Sequence, residues 1–304
     1  MTIKNRSRIC LIISAAIIAI AVLLTIFGYG INEGIDFAGG LSMQYKLTDK
    51  EAVDKALVEK VLDNMSIKTY TVTVQGASNN EVNVRIKDAS EDEQHVIKAK
   101  FEKGISEYYP DVYTYSESSN IAFVGPVAGA ELTKNAILSV LIASVLMLVY
   151  IAFRFDLNSG LAAVFGLVHD VLIMLSFMVI FRSVIQMNSS FIAAALTIVG
   201  YSINNTIVIF DRIRENAKKM AGAPREEVTN VSIKESLGRT ICTTVTTLIT
   251  IVALCILGVA SIREFALPII VGILSGVYSA NMINGYVWAF LEEKRIARKA
   301  AKKA

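Results

Sequence analysis

The chain has 304 residues, 54% of them apolar, with a net charge of +3 and a mean hydropathy of +0.52. That apolar share exceeds what an ordinary soluble domain holds and is concentrated in long runs, which excludes a freely soluble globular protein. The three cysteines (Cys10, Cys242, Cys255) lie in or beside these runs at spacings that match no metal motif, and they read as small packing residues.

In chain order, the first apolar run covers 9–29 and follows Lys4, Arg6 and Arg8. It is longer than the ~7–15 residues of a secretory h-region. An uncleaved signal anchor is therefore expected, with 1–30 forming an N-terminal cytoplasmic segment and the first helix. Residues 31–133 form a polar unit. A strand is expected over 37–47 after a glycine-rich turn, then a helix over 49–65 opened by a Thr48/Glu51 capping box. A hairpin of strands 68–75 and 82–86 turns at 77–80. A second box, Ser90/Glu93, opens a helix that reaches Tyr109 and stops at Pro110, and a strand over 112–123 closes the unit. This βαββαβ order is the ferredoxin-like split unit. With 10 basic and 17 acidic residues between Glu33 and Thr133, the unit is acidic. It has no Ser/His/Asp set, no Cys/His cluster and a single histidine, His95, so neither a hydrolase nor a metal site is supported.

Residues 134–291 carry five further runs, long and poor in charge, at 135–153, 158–180, 188–210, 241–258 and 265–291. A loop at 211–240 and a basic tail at 292–304 complete the chain. The expected fold class is a polytopic α-helical membrane protein of six transmembrane helices with an extracytoplasmic ferredoxin-like domain after the first. With the N-terminus inside, 17 lysines and arginines fall on inner segments, against only Arg182 and Arg263 in the two short outer loops. The positive-inside rule then places both termini in the cytoplasm and the polar unit outside. The basic tail reads as a topology anchor in contact with lipid headgroups. In the loop, Arg212, Arg214, Lys218 and Lys219 alternate with Asp211, Glu215, Glu226 and Glu227, a mixed-charge helical face rather than a nucleic-acid patch.

Residues 200–216, GYSINNTIVIFDRIREN, drop Tyr201, Ser202, Asn204, Asn205 and Thr206 into an apolar run. Amides in hydrocarbon must find partners, so this helix is expected to face protein or water. His169 and Asp170 are the ionisable pair of the third span. As neighbours ~100° apart they are not expected to share a helix face. Either one of them titrates or pairs with Arg239, or both anchor helix packing. Arg239 opens the fifth span ahead of Thr240, Thr243, Thr244, Thr246, Thr247 and Thr250. That face reads as helix–helix glue or as a hydrated path beside Asn204 and Asn205. Gly272, Ser275, Gly276, Ser279 and Ala280 give the last span a close-packing edge.

Five motifs in order along the chain resemble the SecF family: GIDFAGG (Gly34, Asp36, Gly39, Gly40), VGPVAGAEL (Gly125, Pro126, Gly129, Glu131), FRF with HDV, the GYSINNTIVIFDRIREN run with Asp211, Arg212 and Arg214, and ESLGRTICTTVTT. The resemblance covers nearly the whole chain. It implies a relation to RND-type transporters and a place in the bacterial plasma membrane. It also implies that the chain works with SecD as a heterodimer, using the proton-motive force to pull preproteins outward after SecA has driven them into the SecYEG channel. The company it implies is SecD, SecYEG, the translocating preprotein, a YajC-like small subunit and membrane lipids, with no cofactor, no nucleic acid and no enzymatic activity.

One position departs from the family pattern. There the fourth-span motif reads GYS-x-NDT, and its acidic residue is the expected proton carrier. Asn205 stands at that place, and an amide does not titrate. Asp211 lies ~9 Å further along a helix, at the cytoplasmic edge. Three arrangements follow: SecD alone carries the carboxylate and this chain is a scaffold, the one favoured here; Asp170 has taken over; or a hard cation such as Na⁺ is coupled through amide and hydroxyl oxygens. The alternative function is a small RND-like exporter of lipids or drugs acting as a homo-oligomer. Such exporters hold two six-span halves in one chain, and this chain has one.

Overall fold

The computed structural model describes residues 3–48, 52–67, 69–75, 80–87, 89–112, 120–182, 185–258 and 260–302. Six of its helices are long and apolar enough to cross a membrane. Helix α1 (Ile3–Ile26) has neither glycine nor proline, and Ile12, Ile20 and Leu23 on it are exposed, as suits a hydrocarbon solvent. The chain then makes one short helical turn, α2 (Ile35–Ala38), and enters the sheet domain.

The domain consists of β1 (Gly40–Lys46), α3 (Lys55–Asn64), β2 (Tyr70–Gln75), β3 (Glu81–Ile86), α4 (Gln94–Ile105) and β4 (Asn120–Val124). The strands form one antiparallel sheet in the order β2-β3-β1-β4, the ferredoxin-like arrangement expected from the element order. Strand alternation sorts the two faces. Leu41, Met43, Tyr45, Val82, Val84 and Ile86 pack under α3 and α4 against Val58, Leu62, Phe101 and Ile105. Ser42 and Arg85, paired in register, lie on the opposite face. Tyr45 donates to Glu102 at 3.1 Å; burial, reinforced by that carboxylate, pushes its phenol above the ordinary value and keeps it neutral.

Local boundaries differ from the sequence reading where a short-range signal competes with the pattern. Residues 35–38 are helical, so the first strand starts at Gly40 rather than at 37. Helix α3 starts at Lys55, because Asp54 caps it by accepting from the Ala56 N–H at 2.9 Å; Thr48 lies ahead of the helix and Glu51 outside the described residues. The Ser90/Glu93 box is half formed, with the Ser90 N–H donating to Glu93 at 3.2 Å. Residues 77–79 of the expected turn and 113–119 of the expected last strand lie outside the described residues.

Helix α5 (Pro126–Arg154) opens with proline in its first turn, where no N–H is needed. Asp156 caps α6 (Leu157–Ile180) by accepting from the Ser159 N–H at 2.9 Å. The segment 211–240, whose mixed charges read as a helical face, is largely helix. Helix α7 (Ser190–Lys219) and helix α8 (Arg225–Leu257) run past their apolar segments and meet in a turn that holds Gly222 at φ +96°. Asn216 stitches this hairpin by donating to Ser232 at 3.1 Å and Glu235 at 2.7 Å. The last span is α9 (Ala260–Ser279), a π turn (Ala280–Asn284) and α10 (Gly285–Ala301). Trp288 is buried in the bundle core. Helices α6, α7 and α9 form the buried centre, while α1, α5 and α8 present exposed apolar faces.

Two motif glycines permit close backbone approaches, one between the neck and the bundle and one inside the sheet. Gly129 on α5 lies against α2, where a Cβ would come within 2.6 Å of the Phe37 carbonyl oxygen. Gly40 has φ +117°, and a Cβ there would overlap the Ile86 carbonyl oxygen. Gly40→Ala is expected to cost ~1–3 kcal/mol and lower the thermal unfolding midpoint in detergent. Gly125→Ala, whose Cβ meets open space at φ −66°, leaves the midpoint unchanged.

Candidate functional site

An unpaired carboxylate at membrane depth is costly, so the surroundings of Asp170 carry information. The residue is fully buried on α6. Its Oδ2 accepts from Ser202 on α7 at 2.5 Å and from Ser279 on α9 at 2.8 Å. Its Oδ1 accepts from Ser275 on α9 at 2.7 Å and lies 3.0 Å from His169 Nδ1. Ser275 and Ser279 are four residues apart, hence on one face of α9. Gly276 between them brings that helix against Ser202, where a Cβ would lie 3.2 Å from the Ser202 Cα.

His169 extends the network. Its Nε2 lies 2.8 Å from Ser14 Oγ on α1, and its ring stacks with Tyr278 at 6.0 Å. The Tyr278 hydroxyl donates to the Cys10 carbonyl at 2.6 Å and lies 3.5 Å from Ser14 Oγ. With Nδ1–H directed at the carboxylate, a neutral imidazole accepts at Nε2 from the Ser14 hydroxyl. A protonated one donates there, and Ser14 can then donate to Tyr278 and Tyr278 to the α1 backbone. One proton therefore reverses the hydrogen-bond direction between α6 and α1. Among the described residues no lysine or arginine pairs with Asp170, whose partners are His169 and three serine hydroxyls.

The sequence reading placed its emphasis one turn away. Asn205 is buried on α7, and among the described residues its Nδ2 has no partner, nor do Thr244 Oγ1 and Asn284 Oδ1. Thr206 donates to the Ser202 carbonyl at 3.2 Å and accepts from Asn284 Nδ2 at 2.8 Å. Asn204 is exposed on the outside of the bundle. Arg239 is also exposed, and no hydrogen bond or ion pair among the described residues joins it to Asp170 or Asn205, because its side of α8 faces away from α6. Thr243, Thr246, Thr247 and Thr250 bond carbonyls of their own helix. His169 and Asp170 do meet, because Nδ1 and Oδ1 reach across the angle between their Cα positions. Ser275 and Ser279, read as packing residues, are carboxylate donors, and Ser14 carried no sequence signal.

Of the other motif residues, the Gly34 N–H donates to the Met187 carbonyl at 2.7 Å, and Asp36 accepts from the Ser189 N–H at 2.7 Å, just ahead of α7. Gly39 caps α2. Arg212 pairs with Glu215 at 2.7 Å and Glu235 at 3.2 Å in the α7–α8 hairpin. Glu131, Asp211 and Arg214 are exposed.

Fold and site together define a multi-pass membrane protein: a six-helix bundle with a ferredoxin-like domain inserted after the first helix and a polar network at its centre. The family described as "SecD/SecF GG Motif" matches residues 25–51, and "Protein export membrane protein SecD/SecF, C-terminal" matches residues 105–294. The chain belongs to the SecD/SecF family. It is 39% identical to the Protein translocase subunit SecF of Sebaldella termitidis over 85% of this chain and 81% of that one. It is 32% identical to the Protein translocase subunit SecDF of Bacillus subtilis over 95% of this chain, but spans only 38% of that protein. The crystal structure of SecDF from Thermus thermophilus superposes with a TM-score of 0.81 at 32% identity, covering 96% of this chain and 39% of that one.

Breaking the network should separate two kinds of substitution. Asp170→Ala leaves its serine donors without their acceptor and is expected to cost ~1–3 kcal/mol. Asp170→Asn, which keeps an accepting oxygen, should cost much less. Thermal unfolding in detergent measures both.

Proposed function

We propose that this chain acts as a SecF-type subunit of a Sec protein translocase in the bacterial plasma membrane, paired with a SecD-type six-span partner. The observation that carries this reading is the match to a translocase subunit over 85% of the chain, sheet domain and bundle included. In this role it promotes the outward stage of preprotein translocation after SecA-driven transport through SecYEG, with a YajC-like small subunit and membrane lipids as neighbours and without catalysing a reaction itself. The distribution of lysine and arginine supports cytoplasmic termini and an extracytoplasmic sheet domain.

Asn204 supports a partner in the membrane. It is an exposed amide ~21 Å along α7 from Ser190, on a face with the exposed Thr197 and Gly200. Bare amide in hydrocarbon is unfavourable, so another helix belongs there. Asn204→Cys is expected to cross-link to a SecD-type protein in native membranes. Cross-linking only to a second copy of this chain would favour the homo-oligomeric exporter instead.

The ion-responsive group of this chain, in this reading, is the His169–Asp170 pair. Asn205 has no titrating proton, whereas the pair lies in a complete donor shell shared by four helices. In the reconstituted complex, Asn205→Ala should keep ion-gradient-dependent secretion and Asp170→Asn should remove it. Secretion intact in Asp170→Asn would leave the carboxylate to the partner alone.

A further inference from the structure

We infer that Arg85 and Glu264 are positioning residues: they form the joint through which α7 and α9 hold the sheet domain in register with the intramembrane network. This rests on the ion-responsive role of the His169–Asp170 pair proposed above. Arg85 projects from β3 on the sheet face opposite α3 and α4, and its Nη2 lies 3.6 Å from Glu264 Oε1 in the first turns of α9. Both side chains are largely buried, at 12% and 13% exposure. The second Glu264 oxygen accepts from Asn188 Nδ2 at 2.5 Å, ahead of α7. Beside it, Asp36 of the sheet-domain neck accepts from the Ser189 N–H at 2.7 Å. The polar face of the sheet is thus attached to the ends of two particular helices.

Those two helices also supply the hydroxyls on Asp170. Along α9, Glu264 is ~17 Å from Ser275 and ~22 Å from Ser279; along α7, Ser189 is ~20 Å from Ser202. A change in the charge that the three hydroxyls face alters how α7 and α9 seat on α6, and a helix carries that shift to its far end. Coupling of this kind requires an element with two arrangements. The joint has room for a second one: a cavity of about 220 Å³ lies among Asp36, Ser42, Arg85, Asn188, Ser189 and Glu264. Arg85 Nη1 and Asn188 Oδ1 are buried there without partners among the described residues, so the pair is held incompletely and can be re-made in another geometry.

The test uses the full chain in complex with its partner, with spin labels at the exposed positions Glu107 in the sheet domain and Leu257 at the end of α8. Asp170→Asn should shift the label distance, and Arg85→Ala should abolish that shift. Gradient-dependent secretion should fall roughly 5-fold or more in Arg85→Glu and in Glu264→Arg, the range of a typical coupling free energy, and recover when the two are combined. ATP-driven transport without a gradient should be unchanged in all three. A distance shift that persists in Arg85→Ala, or single variants that the charge swap does not rescue, would overturn the inference. No gradient dependence in the unmodified complex would refute the ion-responsive role alone, because the distance measurement still decides the joint.

Discussion

A carboxylate buried at the depth of a bilayer imposes conditions on every element that touches it. Asp170 meets them with two donors on each oxygen, and the donors come from three helices. Hydroxyls can reach it only if helix axes approach closely, which accounts for Gly276 beside Ser202 and for Gly166, where a Cβ would overlap the Asn284 amide. Small residues therefore do more here than permit van der Waals packing; they allow short polar side chains to meet a charge. His169 then draws α1, the helix that leads directly into the sheet domain, into the same network through Ser14.

The sheet domain is attached according to the same economy. A ferredoxin-like sheet covers one face with its helices and leaves the other free. Here the free face carries Ser42 and Arg85 and lies over the ends of α7 and α9, so strand alternation alone directs Arg85 at Glu264. The neck is equally constrained. Gly34 and Asp36 bond the segment ahead of α7, and Gly129 lets α2 lie against α5. The glycine-rich motifs that marked the family in the sequence are the contacts that join its two parts.

Spans and strand order were legible in the sequence because both rest on local periodicity and on length. The polar network was legible only in part. Asp170 and His169 stood out as ionisable residues in an apolar run, but Ser14, Ser275 and Ser279 lie 155, 105 and 109 residues away from their partners in the chain. Serines in a span look like packing residues until the fold places them around a charge. Arg239 looked like the natural partner for Asp170, yet helix phase turns it outward. The helical extensions of α7 and α8 showed in the sequence as a mixed-charge helical face, but their pairing did not; in the structure Arg212, Glu215, Asn216, Ser232 and Glu235 interlock between the two helices.

The central proposal is that the His169–Asp170 pair, rather than Asn205, is where this chain responds to a proton. Isotope-edited infrared difference spectroscopy on the membrane-embedded complex, with labelled aspartate and histidine and a step in pH, observes that response directly. The account predicts carboxylate or imidazole difference bands that vanish in His169→Gln and Asp170→Asn and persist in Asn205→Ala. Bands unchanged by both substitutions at the pair would contradict it.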